Sequence, residues 1–182
     1  MTAIYRASGK INHGWRIGFT SIGIDDDRLR VGVQVTIKEL RQLAVSVAHN
    51  YGLDPALVQA VCENESSWYP WASRYEPGFY ARYIENNPQL GNLTLTEKQA
   101  RAFSYGLMQV MGQVAREQRF GAKSLLELCD PLTNLNQGCT KLKRCMDDAV
   151  SVREGLLKYN GGADLAYPDR VLKLMDKYKG VA

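Results

Sequence analysis

The 182-residue chain has little with which to hold a metal. It carries two histidines, His13 and His49, and four cysteines, none of them in a Cys-x-x-Cys pair. Both histidines lie far in sequence from Cys62, Cys129, Cys139 and Cys145, so the spacing argues against a zinc site. No apolar run approaches the roughly 18–20 residues of a bilayer span, so no stable membrane insertion is expected. The start, Met1 to Lys10, lacks the apolar core of a signal peptide. Without an export signal, reduced core thiols are the default, and a disulfide from Cys129 to Cys139 or Cys145 is the alternative in an oxidising space. Lysine and arginine exceed aspartate and glutamate by 23 to 19, a net charge of +4. That excess favours an anionic partner such as a cell wall or membrane surface. The charges are scattered rather than gathered in a basic block, so no nucleic-acid partner is expected.

What is present suits one domain with a well-formed core. Trp15, Ile17 and Phe19 alternate with polar residues or glycine, and so do Leu29, Val31, Val33 and Val35. Ile24 to Arg28 between them suits a turn, so residues 1–35 read as an N-terminal extension with a small β-hairpin. From residue 36 to 182 the pattern is mainly helical. Thr36 to Glu39 has the form of a capping box, opening a helix to about Tyr51 with Leu40, Leu43, Ala44 and Val47 inward and Gly52 ending it. Asp54 and Pro55 open a second helix, carrying Leu57, Val58, Val61 and Cys62 on its apolar face. Residues 66–105 are less regular. Phe79 to Ile84 suggests a short helical piece, and Thr96 starts another to about Phe103. Leu107, Val110, Met111 and Val114 repeat at helical spacing, which predicts a helix from Gly106 to Phe120. Ser124 caps a turn over Leu125 to Cys129. Further helices follow over about Asp130 to Asp147, Val150 to Tyr159, and Ala163 or Pro168 to Tyr178. There is no internal repeat or linker, and one mainly α domain is the economical reading.

Glu65 falls in the last turn of the second helix, just before Pro70. A carboxylate there sits at the negative end of the helix dipole. That field, with burial against Trp68 or Trp71, favours its protonated form. A carboxylic acid kept neutral near pH 7 is what a glycosidase needs to protonate a leaving sugar oxygen. Glu63 is about 200° around the helix from Glu65 and should face elsewhere.

Four fragments recur in a telling order: Glu65-Ser-Ser-Trp-Tyr-Pro70, Gly106-Leu-Met-Gln109, Asp130-Pro-Leu-Thr-Asn134 with Gly138, and Tyr159-Asn-Gly-Gly162. Together they resemble the soluble lytic transglycosylase domain, related to goose-type lysozyme, over about residues 40 to 178. The resemblance implies a lysozyme-like helical fold. It implies an enzyme that cuts the β-1,4 bond between N-acetylmuramic acid and N-acetylglucosamine in peptidoglycan glycan strands. No metal or organic cofactor is implied. In the family one glutamate protonates the leaving oxygen. It then takes the proton of the muramic acid C6 hydroxyl, which closes a 1,6-anhydro ring. By motif that residue is Glu65.

The same carry-over assigns substrate contacts. Ser66 would border the cleft, touching substrate or orienting Glu65; the alternative is a hydroxyl bonded to helix backbone. Met108 and Gln109 would line the groove, Gln109 bonding a sugar amide, with core packing the alternative for Met108. The Tyr159 hydroxyl would reach the catalytic glutamate. Asn160 belongs to the same motif, or is a helix C-cap. Trp68 and Trp71 read either as sugar platforms or as core aromatics. Glu65 and Gly106 stand 41 positions apart, more than the compact pattern needs. The added segment, about Arg74 to Ser104, would supply a lid, extra sugar subsites or a water-activating group. Glu76 is the one credible second carboxylate.

Two other functions stay open in the sequence: a hydrolysing muramidase or chitinase on the same fold, and a non-catalytic sugar-binding or phage structural module. With no signal peptide, the expectation is synthesis in the cytoplasm and delivery to the wall by another route, as a phage or prophage enzyme would be. A monomer is assumed.

Overall fold

In this computed structural model the structure describes residues 35–180, and the expected N-terminal hairpin, Val35 apart, lies outside the described residues. Helix α1, Ile37–Asn50, begins at the expected capping box. The Thr36 hydroxyl accepts from the Glu39 amide at 3.2 Å, and the Glu39 carboxylate accepts from the Thr36 amide at 2.8 Å. Leu40, Ala44 and Val47 face inward as expected, with Leu43 half-buried. Helix α2, Pro55–Ser66, begins where Asp54 accepts from the Ala56 amide at 2.8 Å. Its burial exceeds the amphipathic expectation. Every residue from Ala56 to Cys62 is buried, as in a helix surrounded by its neighbours. α1 lies on one side of it and the last helix, α8 (Tyr167–Tyr178), on another.

After α2 the chain enters a small antiparallel sheet of β1 (Ser73–Tyr75), β2 (Phe103–Tyr105) and β3 (Val110–Met111), in that order. Arg74 pairs with Ser104, and Tyr105 with Val110. Between β1 and β2 lie α3 (Pro77–Phe79), a π-helical turn over Tyr80–Ile84 and α4 (Leu95–Arg101). α4 starts one residue before Thr96, because the Thr94 hydroxyl caps it. After β3 come α5 (Gly112–Glu117), a 3-10 turn over Leu125–Cys129, α6 (Pro131–Asp147) and α7 (Val152–Tyr159). Glu97 of α4 pairs with Arg101 of the same helix at 3.0 Å and ties α4 to α5 through Arg116 at 2.9 Å. Among the described residues no helix is long and apolar enough to cross a membrane. All four cysteines are free thiols.

One expectation fails in an informative way. Gly106 to Phe120 is not a single helix. Gly106 to Gln109 is the turn joining β2 to β3, and helix begins only at Gly112. Leu107, Met108 and Val110 are all fully buried, so burial around a tight turn mimicked a helical stripe. The turn needs a positive φ at Gly106, +71°. A Cβ there would also lie 2.3 Å from the Asn134 side-chain nitrogen.

Asn134, on α6 and completely buried, grips this turn. Its carbonyl accepts from the Met108 amide at 2.8 Å, and its amide donates to the Tyr105 and Leu128 carbonyls at 2.7 and 2.8 Å. One turn further along α6, Gly138 leaves room for the Met108 side chain, whose sulfur would be 2.4 Å from a Cβ. Asn134→Ala would strand three buried backbone groups, costing about 3 kcal/mol. Calorimetry should show Tm falling by roughly 6–12 °C. A fall under about 2 °C would mean the clamp carries no weight.

Candidate active site

Glu65 lies in the last turn of α2, and the chain turns sharply just beyond it. Ser67 and Trp68 both have left-handed backbones, with φ of +50° and +67°. Non-glycine residues there cost about 1–2 kcal/mol each. Burial of Trp68 offsets that cost: its indole N–H donates to the Tyr178 hydroxyl at 3.1 Å, and the two rings meet edge-on. Trp68 is thus a core aromatic. Trp71 is 64% exposed and does not line the cleft that Glu65 faces.

That cleft has a volume of about 880 Å³. α2, the β1–β2 segment, α6, α7 and the approach to α8 all contribute to it. It brings together Glu65, Glu76, Gln109, Tyr159 and Asn160 from the sequence-derived set. Ser66 and Met108 do not line it.

The differences are specific. The Ser66 hydroxyl donates towards backbone carbonyls, Cys62 at 3.0 Å and Leu107 at 2.9 Å, so it fastens α2 to the Gly106 turn. Met108 has no exposed surface and packs on Gly138. Its place is the core, not the groove. The Tyr159 hydroxyl does not reach Glu65. It donates to the Met108 carbonyl at 2.8 Å, and the ring forms part of the cleft wall. Gln109 lines the cleft with a left-handed backbone, φ +44°. Its amide nitrogen is bonded to the Ala72 and Gly106 carbonyls at 3.1 and 2.9 Å. Its carbonyl accepts from the Ser104 hydroxyl at 3.0 Å. The side chain therefore pins the residue just before β1 to the turn and keeps one acceptor lone pair for a ligand. Asn160 is the C-cap residue of α7 and also borders the cleft, where its carbonyl accepts from the Asp164 amide at 3.3 Å. Glu76 pairs with Arg74 at 2.5 Å.

The hydroxyl that does reach Glu65 belongs to Tyr167, the first residue of α8. It donates to Oε1 at 2.5 Å and is itself buried. Burial pushes the Glu65 carboxyl up. The Tyr167 hydrogen bond and the charges of Lys141, Arg74 and Arg170 pull it down, and burial prevails. Glu63, two residues earlier, goes the other way. Burial raises it too, but hydrogen bonds from Lys177 at 2.7 Å and from the Tyr178 hydroxyl outweigh that and hold it low. One helix end thus carries two carboxylates with opposite tendencies, and only Glu65 faces the cleft. Lys141 is the other unexpected neighbour. Its ammonium sits 4.3 Å over the Tyr159 ring, and desolvation lowers its pKa while Glu65 works against that.

Residues 42–166 match the family model described as the transglycosylase SLT domain. The chain belongs to that family. As an SLT-domain protein it is related to lytic-transglycosylase-type, peptidoglycan-cleaving enzymes. Comparison with curated proteins and with solved structures gives no match. Tyr167 lies one residue past the matched stretch, and in sequence it reads as one more core aromatic before Pro168. Lys141 left a signal: it lies seven residues after Asn134 and three after Gly138, on the inward stripe of α6.

The signs of these influences give a direct test. Tyr167→Phe removes a bond that favours the ionised carboxylate, and Lys141→Met removes a charge that does the same. Each should move the Glu65 titration, followed by carbon NMR of its carboxyl, to higher pH. A downward or absent shift in both variants would contradict this account of the site.

Proposed function

We propose that this SLT-domain protein is a lytic transglycosylase. It would cleave the β-1,4 bond between N-acetylmuramic acid and N-acetylglucosamine with Glu65 as sole general acid and base. The observation that carries the reading is Glu65 itself. It is a desolvated carboxyl in a cleft large enough for sugar rings, fixed through one oxygen by Tyr167. Because Tyr167 donates into Oε1, the acid's proton belongs on Oε2. That oxygen has no protein partner among the described residues. Oε2–H gives its proton to the glycosidic oxygen as the bond breaks, leaving an oxocarbenium-like sugar. The Glu65 carboxylate so formed then accepts the proton of the C6 hydroxyl. That hydroxyl attacks its own anomeric carbon and closes the 1,6-anhydro ring. The nucleophile is part of the substrate, so its effective concentration takes the place of an activated water.

The same economy explains why a second free carboxylate is unnecessary. Glu76 lines the cleft, but its ion pair with Arg74 favours a spectator role. Hydrolysis with Glu76 as water-activating base is the competing reading, favoured only by that shared cleft. Peptidoglycan glycan strands are the substrate in both cases.

Mass spectrometry of muropeptides released from purified peptidoglycan separates the readings. Wild type should release anhydro-muropeptides, and Glu65→Gln should be slower by at least about 100-fold, the lower bound for a lost general acid. Reducing-end products one water heavier would replace this reading with hydrolysis. No product from wild type would overturn the enzymatic reading on this substrate.

A further inference from the structure

Beside the Glu65 cleft is a second depression of about 250 Å³. The two share Phe79 and Tyr83, so they adjoin across one aromatic step. The Phe79 and Tyr83 rings lie 4.9 Å apart, and Tyr83 is 50% exposed. They stand one turn apart on the segment between β1 and β2, the insertion that separates Glu65 from the Gly106 turn. α5 forms the far wall, through Gln113, Val114 and Glu117.

The polar groups there are already arranged. The Gln113 amide nitrogen donates to Glu117 at 2.9 Å, and its carbonyl accepts from Arg101 at 3.2 Å. Asn87 donates to the Tyr83 carbonyl at 3.1 Å and so fixes the turn that carries that ring. An exposed Tyr83 ring beside a half-buried Phe79, flanked by a planar amide and a carboxylate, suits a neutral, hydroxyl-rich ring. The ring's C–H face lies on the aromatics, and its hydroxyls donate to the carboxylate. The acidic Glu117 disfavours an anionic peptide stem at this point.

We infer that the Phe79–Tyr83 step and the depression beyond it are an additional sugar subsite, which lets the protein grip a glycan strand that continues past the Glu65 cleft. The inference rests on the peptidoglycan reading and assigns part of its substrate specificity to the inserted segment. Strand length is then the property that the subsite senses. A strand reaching over Tyr83 gains contacts that a fragment confined to the Glu65 cleft does not make.

The test uses uncrosslinked glycan strands, long ones and a four-sugar fragment, added to the full chain carrying Glu65→Gln. Binding alone is followed, so the result does not depend on turnover. Long strands should shift the amide NMR signals of Gln113 and Val114, and the short fragment should not. Adding Tyr83→Ala should weaken long-strand binding about tenfold, the scale of one well-placed aromatic contact, and short-fragment binding by less than about threefold. Val114→Phe, which fills the depression from α5, should reproduce the length-dependent loss if Tyr83→Ala disturbs the fold. Equal losses for both lengths, or long-strand binding without shifts at Gln113 and Val114, would overturn the subsite. If neither length binds, the peptidoglycan reading falls too, and the wild-type product analysis shows that separately.

Discussion

Three hydrogen bonds from one buried asparagine hold the site's supporting turn in place. Asn134 satisfies the Met108 amide and the Tyr105 carbonyl at the β2–β3 turn, and the Leu128 carbonyl of the neighbouring 3-10 turn. A buried polar group left unpaired is costly, so such a turn exists only where something completes it. The other fragments join at the same place. Ser66 bonds the Leu107 carbonyl, Tyr159 the Met108 carbonyl, and Gln109 ties the turn to the Ala72 carbonyl. Gly106 and Gly138 supply the clearance that lets these parts approach. The motifs therefore share one architectural task, which is to seat α2, and with it Glu65, against a rigid turn.

On that platform the chemistry is set by differences of environment. Glu63 and Glu65 share a helix end and a dipole field. Glu63 meets Lys177 and Tyr178, which hold its pKa low, whereas Glu65 is bonded by one hydroxyl and its burial outweighs that bond and the charges around it. Pairs of acids pushed apart in this way mark division of labour in catalytic sites. Here one member of the pair is structural, tethering α2 to α8, and the other faces the cleft.

Much of this was legible in the sequence, for identifiable reasons. Local rules located α1, α2 and α6 closely, because Thr36, Asp54 and Asp130 cap their own helices through contacts two or three residues away. The place of Glu65 in the last turn of α2 was legible because Asp54 and Pro55 open that helix and Pro70 lies just beyond its end. For Ser66 and Met108 the sequence left two readings open, and for Tyr159 the resemblance pointed to Glu65. The contacts that decide between them lie 41, 30 and 51 residues away, on elements whose approach no local pattern encodes. The Gly106–Phe120 helix failed because a fully buried turn and an amphipathic helix produce similar apolar spacing. Tyr167 escaped because nothing in a lone tyrosine before a proline says which carboxylate, 102 positions earlier, it will meet.

That separation bears on how the molecule comes into being. All four motifs have been synthesised once Gly162 is made, yet the hydroxyl that holds Glu65 belongs to the helix that follows. The same helix brings Tyr178 to Trp68 and Lys177 to Glu63. A nascent chain, or one clipped in the Gly161–Gly162 stretch, has the complete signature of its family and an unfinished acid. Docking of α8 is thus what gives the Glu65 carboxyl its environment, however completely the four motifs are already in place.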